Sequence, residues 1–210
     1  MDPFGLISIG LGAAWASGLN LYATVLIFGG LHALGIIELP PDLKVLSKPG
    51  VLITAAILYC LEFIADKVPG VDSVWDAVHS FIRIPAGALM AAGAVGGLEN
   101  EFGYDVLTIA ALIAGGALSG LTHATKSGVR VMANTSPEPV SNWFLSIFED
   151  VLVVIGAVLA VAKPVVFVVL LALFLVLAIW LLPKVIRALR KLIGYLGDRV
   201  GEFRRDRRNQ

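Results

Sequence analysis

The stretch FGLISIGLGAAWASGLNLYATVLIFGGLHALGII, residues 4–37, carries no Asp, Glu, Lys or Arg. As one straight helix it would reach about 50 Å, against a bilayer hydrocarbon core of about 30 Å. It must therefore tilt steeply, leave the membrane or break. The natural break is Ser17-Gly18-Leu19-Asn20, where glycine weakens the helix and Asn20 brings an amide that competes for backbone partners. Composition agrees with a membrane setting. Hydrophobic residues make up 58% of the 210-residue chain and charged residues 15%, too few to cover a soluble globule. A soluble enzyme, a disordered chain and a disulfide scaffold are excluded, and the single Cys60 can form neither an internal disulfide nor a thiol metal cluster. The fold class is all-α, a polytopic helical membrane protein.

Further spans are expected at residues 49–67, 83–98, 105–134, 143–162 and 164–182, about six in all with the broken first helix. Pro49, Pro164 and Pro183 fall at span edges, where a missing N–H matters least. The start, Met1-Asp2-Pro3-Phe4, lacks a basic n-region, so the first apolar segment is expected to remain as an anchor. Beyond Pro183 there are nine Lys or Arg and three Asp or Glu, net +6, while the rest of the chain is net −6. This divides a transmembrane domain, residues 1–183, from a basic cytoplasmic tail, residues 184–210. In the tail Val185, Leu189, Leu192, Leu196, Val200 and Phe203 recur at helical spacing, the pattern of an amphipathic helix on an anionic leaflet or of a plain topology anchor. With six spans, one side receives Lys67, Arg83, Lys126, Arg130 and the tail, and the other receives Lys44, Lys48, Lys163 and the acidic turn Glu99-Asn100-Glu101. Thirteen basic residues against three place both termini in the cytoplasm of a cell (inner) membrane protein. A full hairpin in the first stretch would make seven spans and move the N-terminus outside. The tail's charge is explained by the membrane, so nucleic acid is not an expected partner.

Small residues mark the central helices: Gly12, Ala13, Ser17 and Gly18; Gly87, Ala91, Gly93, Gly96 and Gly97; Gly115, Gly116, Ser119 and Gly120. The sixth span, from Val165 to Trp180, has neither glycine nor a polar side chain and is expected to face lipid. Two internal matches compete. LGAAWASGLN, residues 11–20, resembles IAGGALSGLT, residues 113–122, at an offset of 102, compatible with a three-plus-three inverted repeat. PGVDSVW, residues 69–75, resembles PEPVSNW, residues 137–143, at an offset of 68, which implies parallel helix pairs instead.

Ionisable residues within spans are expensive and mark functional positions. Glu62 lies inside the second span with Asp66 one turn later, followed by Lys67. Glu149 and Asp150 lie inside the fifth. His123, Lys126, Arg130 and Asn134 share one face of the fourth helix. A cationic stripe facing carboxylates reads equally as a structural ion-pair network and as a cytoplasm-facing cavity for an anion or proton, since an Arg that meets a carboxylate meets phosphate by the same bidentate geometry. Asn20 and Tyr22 at the break in the first helix complete the candidate binding set on that side. His32, alone in an apolar run, reads as a packed or interfacial histidine.

The segment between the second and third spans has its own pattern. Ser73 and Asp76 have capping-box form, and Asp72, Asp76, His79 and Arg83 share a helical stripe. It reads as a capped interfacial helix anchored by Trp75 and Phe81, or as a gate over the polar cavity. Asp72, Ser73 and Asp76 with Phe81 resemble half of the CDP-alcohol phosphotransferase motif, but the earlier Asp-Gly-x-x-Ala-Arg segment is missing. No phosphate-cradling loop, His-Glu-x-x-His or serine elbow is present. No cofactor, metal or catalytic residue is expected.

Three motifs, GLNLYAT at residues 18–24, EFIADKVPGVDSVWD at 62–76 and HATKSGVR at 123–130, resemble an uncharacterised, mostly bacterial integral-membrane family, a domain of unknown function. The likeness covers about residues 9–160 and implies a helical membrane fold without a known activity. From the residues, the expectation is a small membrane transporter or channel-like carrier for a polar or anionic solute, working as a homodimer because six spans make a thin bundle. The alternatives are a membrane enzyme or lipid-handling protein acting on a phosphorylated headgroup, and a non-transporting scaffold.

Overall fold

The computed structural model describes residues 2–68, 70–96, 98, 104–134 and 139–208. The acidic turn at Glu99-Asn100-Glu101 and Pro137 and Glu138 of the shorter repeat lie outside them. The order is α1 (Pro3–Ala33), a short 3-10 helix (Pro41–Ser47), then α2 (Pro49–Ala65), α3 (Val71–Val95), α4 (Tyr104–Ala133), α5 (Pro139–Ala162) and α6 (Pro164–Arg208). Among the described residues, five helices are long and apolar enough to cross a membrane, and a sixth span arises if α2 is joined to the 3-10 helix that meets it at 61°. This is the polytopic all-helical class expected from composition.

α1 breaks where the sequence is weakest. Asn20 has extended backbone angles, φ −148° and ψ 102°, inside an otherwise helical stretch. Its side-chain Oδ1 accepts the Ala23 N–H at 2.9 Å, the geometry of an N-cap, so a second helix starts there. Before the break, Ser8 donates to the Ala160 carbonyl near the end of α5, and the Leu19 carbonyl accepts from Lys126 near the end of α4. Helix α2 runs the same way, with Tyr59 bonded to Asp150 and Asp66 bonded to Arg130. Two successive legs in one direction require the chain between them to return. The return leg is the second half of α1, whose Tyr22 meets His79 and whose Gly29 packs on Leu46. The start of α6 packs at the end of the bundle where α1 begins, through Phe167 beside Gly12, and Val185 reaches Gly128 at the other end. The first residues of α1 and the last residues of α6 therefore lie at opposite ends of the bundle, whereas a six-span count puts them together. The break at Asn20 is the cause.

Three expected boundaries change. α3 starts at Val71, so the stretch carrying Asp72, Asp76, His79 and Arg83 is the first half of a spanning helix, neither an interfacial helix nor a separate gate. Pro85 sits within it without ending it. Gly70, with φ 87°, makes the left-handed turn before the helix, a conformation that glycine alone adopts without strain. The Ser73–Asp76 capping box does not form; Asp72 Oδ1 takes the Gly70 and Ser73 N–H groups at 2.8 and 2.6 Å instead. α5 begins at Pro139, four residues earlier than expected, which places Glu149 and Asp150 about 15 Å into the helix. α6 continues through Pro183 to Arg208 as one helix, and Val185 is buried against Gly128 instead of lying on a membrane surface. The side chains of Leu189, Leu192, Leu196, Val200 and Phe203 lie outside the described set.

The small-residue helices are central. Gly10 faces Ala91 and Ala94, Gly115 faces Ala91, and Gly156 faces the ring of Trp15. α1, α3 and α4 meet at Gly87, where an added Cβ would lie 2.5 Å from Ser119 Cβ and 2.7 Å from Ser17 Oγ. Most of α6 is exposed along Val165, Val169, Leu173, Val176 and Trp180, with Phe167, Leu171 and Ala178 buried, as a helix with one face on lipid requires. Ser17 and Ser119, the equivalent residues of the 102-offset match, touch at 3.2 Å. Their helices run side by side in the same direction, so this match gives no support to an inverted repeat. The 68-offset match fits the helix starts, Val71 for α3 and Pro139 for α5, and these two helices run in parallel from the same end.

Gly87→Ala should lower stability by about 1–3 kcal/mol through overpacking, and Gly87→Val should yield no folded protein. Thermal unfolding in detergent checks both, and an unchanged melting temperature for the alanine variant would contradict the three-helix crossing.

Candidate functional site

The end of the bundle reached by α2 and α4 is polar inside. Each contributing helix supplies its residues at helical spacing. α3 presents Asp72, Asp76, His79 and Arg83, and α4 presents Ser119, His123, Lys126, Arg130 and Asn134, each set separated by three or four positions. α2 adds Tyr59, Glu62 and Asp66, α5 adds Glu149 and Asp150, and α1 adds Asn20 and Tyr22. The deepest of these, Arg83, lies about 18 Å along the axis from the start of α3.

At the centre is an ion-pair lattice. Arg83, fully buried, donates to Glu62 Oε1 at 2.6 Å and Asp76 Oδ1 at 3.0 Å. Arg130 forks onto Glu149, and its Nη2 also reaches Asp66 Oδ2 at 2.8 Å. Lys126 Nζ stands between the two arginines, 3.3 Å from Glu149, 3.5 Å from Glu62 and 3.8 Å from both Asp66 and Asp76. Its shortest bond, 2.7 Å, goes to the Leu19 carbonyl. That carbonyl is released by the helix break, since Asn20 Oδ1 takes the Ala23 N–H that a continuous helix would direct there. The broken helix and the lattice are thus one construction.

Histidine roles follow from their partners. Arg83 Nη1 can only donate, so His123 Nδ1, 3.1 Å away, accepts, and Nε2 carries the proton toward Ser80 Oγ and the Asp76 carbonyl. His123 is therefore neutral in this arrangement. His79 donates from Nδ1 to the Trp75 carbonyl at 2.8 Å, leaving Nε2 to accept from the Tyr22 hydroxyl at 3.0 Å. Asp150 accepts from Asn20 Nδ2 at 3.0 Å and from the Tyr59 hydroxyl at 2.8 Å, linking the break in α1 to α2.

Three of the expected site residues, Lys67, Asp72 and Asn134, stand apart. Lys67 turns outward, its ammonium 2.8 Å above the centre of the Phe63 ring, and partial burial lowers its pKa from the usual lysine value. Asp72 is buried but caps the start of α3 and is held by Asn134 Nδ2 at 3.0 and 2.9 Å, outside the lattice. His32, on the return leg, faces the Ile37 carbonyl at 3.1 Å, far along the chain from the lattice. The sequence reading missed Arg83 as a site residue by counting it among loop charges. Its spacing from Asp72 and Asp76 carried the signal, once the segment is read as a helix entering the bundle. Tyr59, one turn before Glu62, was legible in the same way. Ser80 and Ser127 were not, because a hydroxyl on a polar helix face gives no distinct pattern. With Arg83, Lys126 and Arg130 all buried, the side bias of basic residues rests on the tail.

The fold and this interior define the molecule as a polytopic helical membrane protein with a buried ionic centre at a broken helix. Residues 7–184 match the family described as Domain of unknown function (DUF4126), and the chain belongs to that family. No curated protein and no solved structure matches the chain.

Removing one partner from such a lattice leaves charge unpaired in a dry interior. Arg83→Met should cost about 3–5 kcal/mol. Adding Glu62→Gln should recover at least about 1 kcal/mol of that loss, because the pair is removed together. Chemical unfolding of the two single variants and the double variant measures the coupling, and strict additivity would contradict a direct pair.

Proposed function

We propose that the protein is a membrane carrier or channel-like transporter that moves a small charged or polar solute through the ionic centre. The observation that carries this reading is the break at Asn20. It opens a backbone carbonyl onto Lys126 in the midst of buried ionisable side chains contributed by α2, α3, α4 and α5. Irregular backbone at membrane depth is tolerated where it lines a protein-enclosed polar site, and discontinuous helices of this kind serve solute and ion binding in transporters. A packing role alone is better served by apolar residues of similar volume, since desolvating so many charges is costly.

The geometry narrows the solute. Arg83, Lys126 and Arg130 already hold carboxylates, so an incoming anion would have to displace them. The carboxylates outnumber the cations, which favours a positively charged or proton-linked species over the free anion expected from the Lys and Arg stripe. The headgroup-enzyme alternative, which would hold a divalent metal through Asp66, Asp72 and Asp76, draws no support from them. Asp66 and Asp76 are taken up by Arg130, Arg83 and the shared Lys126, and Asp72 is held apart by Asn134.

In this reading the bilayer is the solvent and a homodimer is the working unit. The nine basic residues of the tail favour a cytoplasmic tail in a cell (inner) membrane. With the first residues of α1 and the last of α6 at opposite ends of the bundle, that orientation favours an N-terminus outside. A cysteine-accessibility pair, one at the N-terminus and one in the tail, should label from opposite sides of sealed vesicles.

The direct test is flux in proteoliposomes, assayed with Na+, K+, phosphate, succinate and a lumenal pH dye. Asp150→Asn retains the shape at the break and removes a charge outside the Arg83–Lys126–Arg130 lattice. It should reduce flux at least tenfold while shifting the melting temperature by only about 2–4 °C. Wild-type protein that moves none of these species, or a variant with full flux, would overturn the carrier reading.

A further inference from the structure

Among the described residues, the buried lattice is short of one positive charge. Glu62, Asp66, Asp76 and Glu149 stand against Arg83, Lys126 and Arg130. His123 adds nothing, because its Nδ1 accepts from Arg83. Asp72 is satisfied by Asn134 and backbone N–H groups at the helix start, and Asp150 by Asn20 and Tyr59, so neither brings a cation to the set. A carboxylate in a dry interior with neither a cation nor donors to spare is costly, and this favours a further monovalent positive charge at the lattice.

The deficit has a location. Glu62 and Asp66, 0% and 3% exposed, lie one turn apart on α2. One oxygen of each is engaged, Glu62 Oε1 by Arg83 and Asp66 Oδ2 by Arg130. The other oxygen of each, Glu62 Oε2 and Asp66 Oδ1, is buried without a hydrogen-bond partner. A water molecule could accept from Arg83 Nε, also unpartnered, and donate to Glu62 Oε2, but it supplies no charge. The charged and titratable groups facing this point are Tyr59 and Lys67 beside it on the α2 side, Asp76 and Arg83 from α3, His123, Lys126 and Arg130 from α4, Glu149 and Asp150 from α5 and Tyr22 from α1.

We propose that the Glu62–Asp66 face of α2 binds one exchangeable monovalent positive charge, a proton or an alkali cation. Its uptake closes the lattice, and its release leaves the centre with a net negative charge that favours rearrangement around Asn20. On the carrier reading, on which this last consequence rests, the bound charge is the coupling ion. Binding itself depends only on the static lattice, so it is measurable without transport.

The experiment uses full-length protein in detergent. Infrared spectra at neutral pH read the carbonyl stretch of a protonated carboxylic acid, and thermal unfolding compares LiCl, NaCl and KCl with choline chloride at constant ionic strength. Wild type, Glu62→Gln and Asp66→Asn are measured together, with Glu149→Gln as the control for position. A proton at the site gives an acid band in wild type that Glu62→Gln or Asp66→Asn removes and Glu149→Gln retains, with no alkali effect. An alkali cation gives no band but raises the wild-type melting temperature by at least about 3 °C, a gain lost in Glu62→Gln and Asp66→Asn. Should those variants fail to fold, the wild-type spectra and salt series alone decide whether a charge is bound. Neither signal in wild type overturns the proposal, as does a band removed only by Glu149→Gln. Proteoliposomes separate the two readings. Either signal without flux leaves the site and removes the carrier, and flux without either signal leaves the carrier and removes the site.

Discussion

Arg83 is the residue on which the interior depends. Its guanidinium is fully buried, and in a bilayer no water is available to take over its donors. It therefore fixes the positions of whatever can accept from it: Glu62 on α2, Asp76 about two turns back on its own helix, and His123 on α4. Those acceptors in turn fix Lys126, and Lys126 reaches the carbonyl that the break in α1 releases. Removal of any one link leaves another group charged and dry. The lattice is thus a specificity device as much as a stabilising one, because few other helix arrangements could satisfy the same set of donors and acceptors.

Close packing makes the lattice reachable. Side chains of the length of Lys and Arg span neighbouring helices only if the backbones are near, and Gly87 and Gly18 bring α1, α3 and α4 together beside the ionic residues. Toward the other end of the bundle the same helices approach through small residues, Gly10 against Ala91 and Ala94 and Gly115 against Ala91. A gradient results, with an apolar, tightly packed half at one end and an ionic half at the other. The break at Asn20 lies at the junction.

A separate apolar cavity of about 800 Å³ lies between the return leg of α1, α2 and α3, lined by Val25, Leu43, Leu58 and Met90 and closed at one side by Tyr22. Tyr22 also bonds His79, so one residue borders both the apolar cavity and the polar centre. This juxtaposition explains why α2 stands off α3 near its start yet joins the lattice at its end. The two ends of α2 meet different environments, and its outer stripe of Ile53, Ile57, Leu61 and Ile64 remains exposed for lipid.

The membrane class, the break near Asn20, the small-residue helices and most of the polar set were legible in the sequence. Each depends on local chemistry: a charge-free run too long to span once, an amide beside a glycine, residues at three- and four-position spacing. What the sequence could not decide was the direction of successive legs and the partner of each charge. Arg83 looked like a loop residue, and Lys67 looked like a site residue beside Asp66. Only the packing of α3 into the bundle turned the first inward, and only the free side of α2 let the second turn out over Phe63. Hydropathy reports whether a segment prefers lipid to water and is indifferent to which way it runs. Direction and pairing are set by contacts between residues far apart in the chain, as between Asn20 and Asp150 or Glu62 and Arg83, and those exist only once the helices have packed.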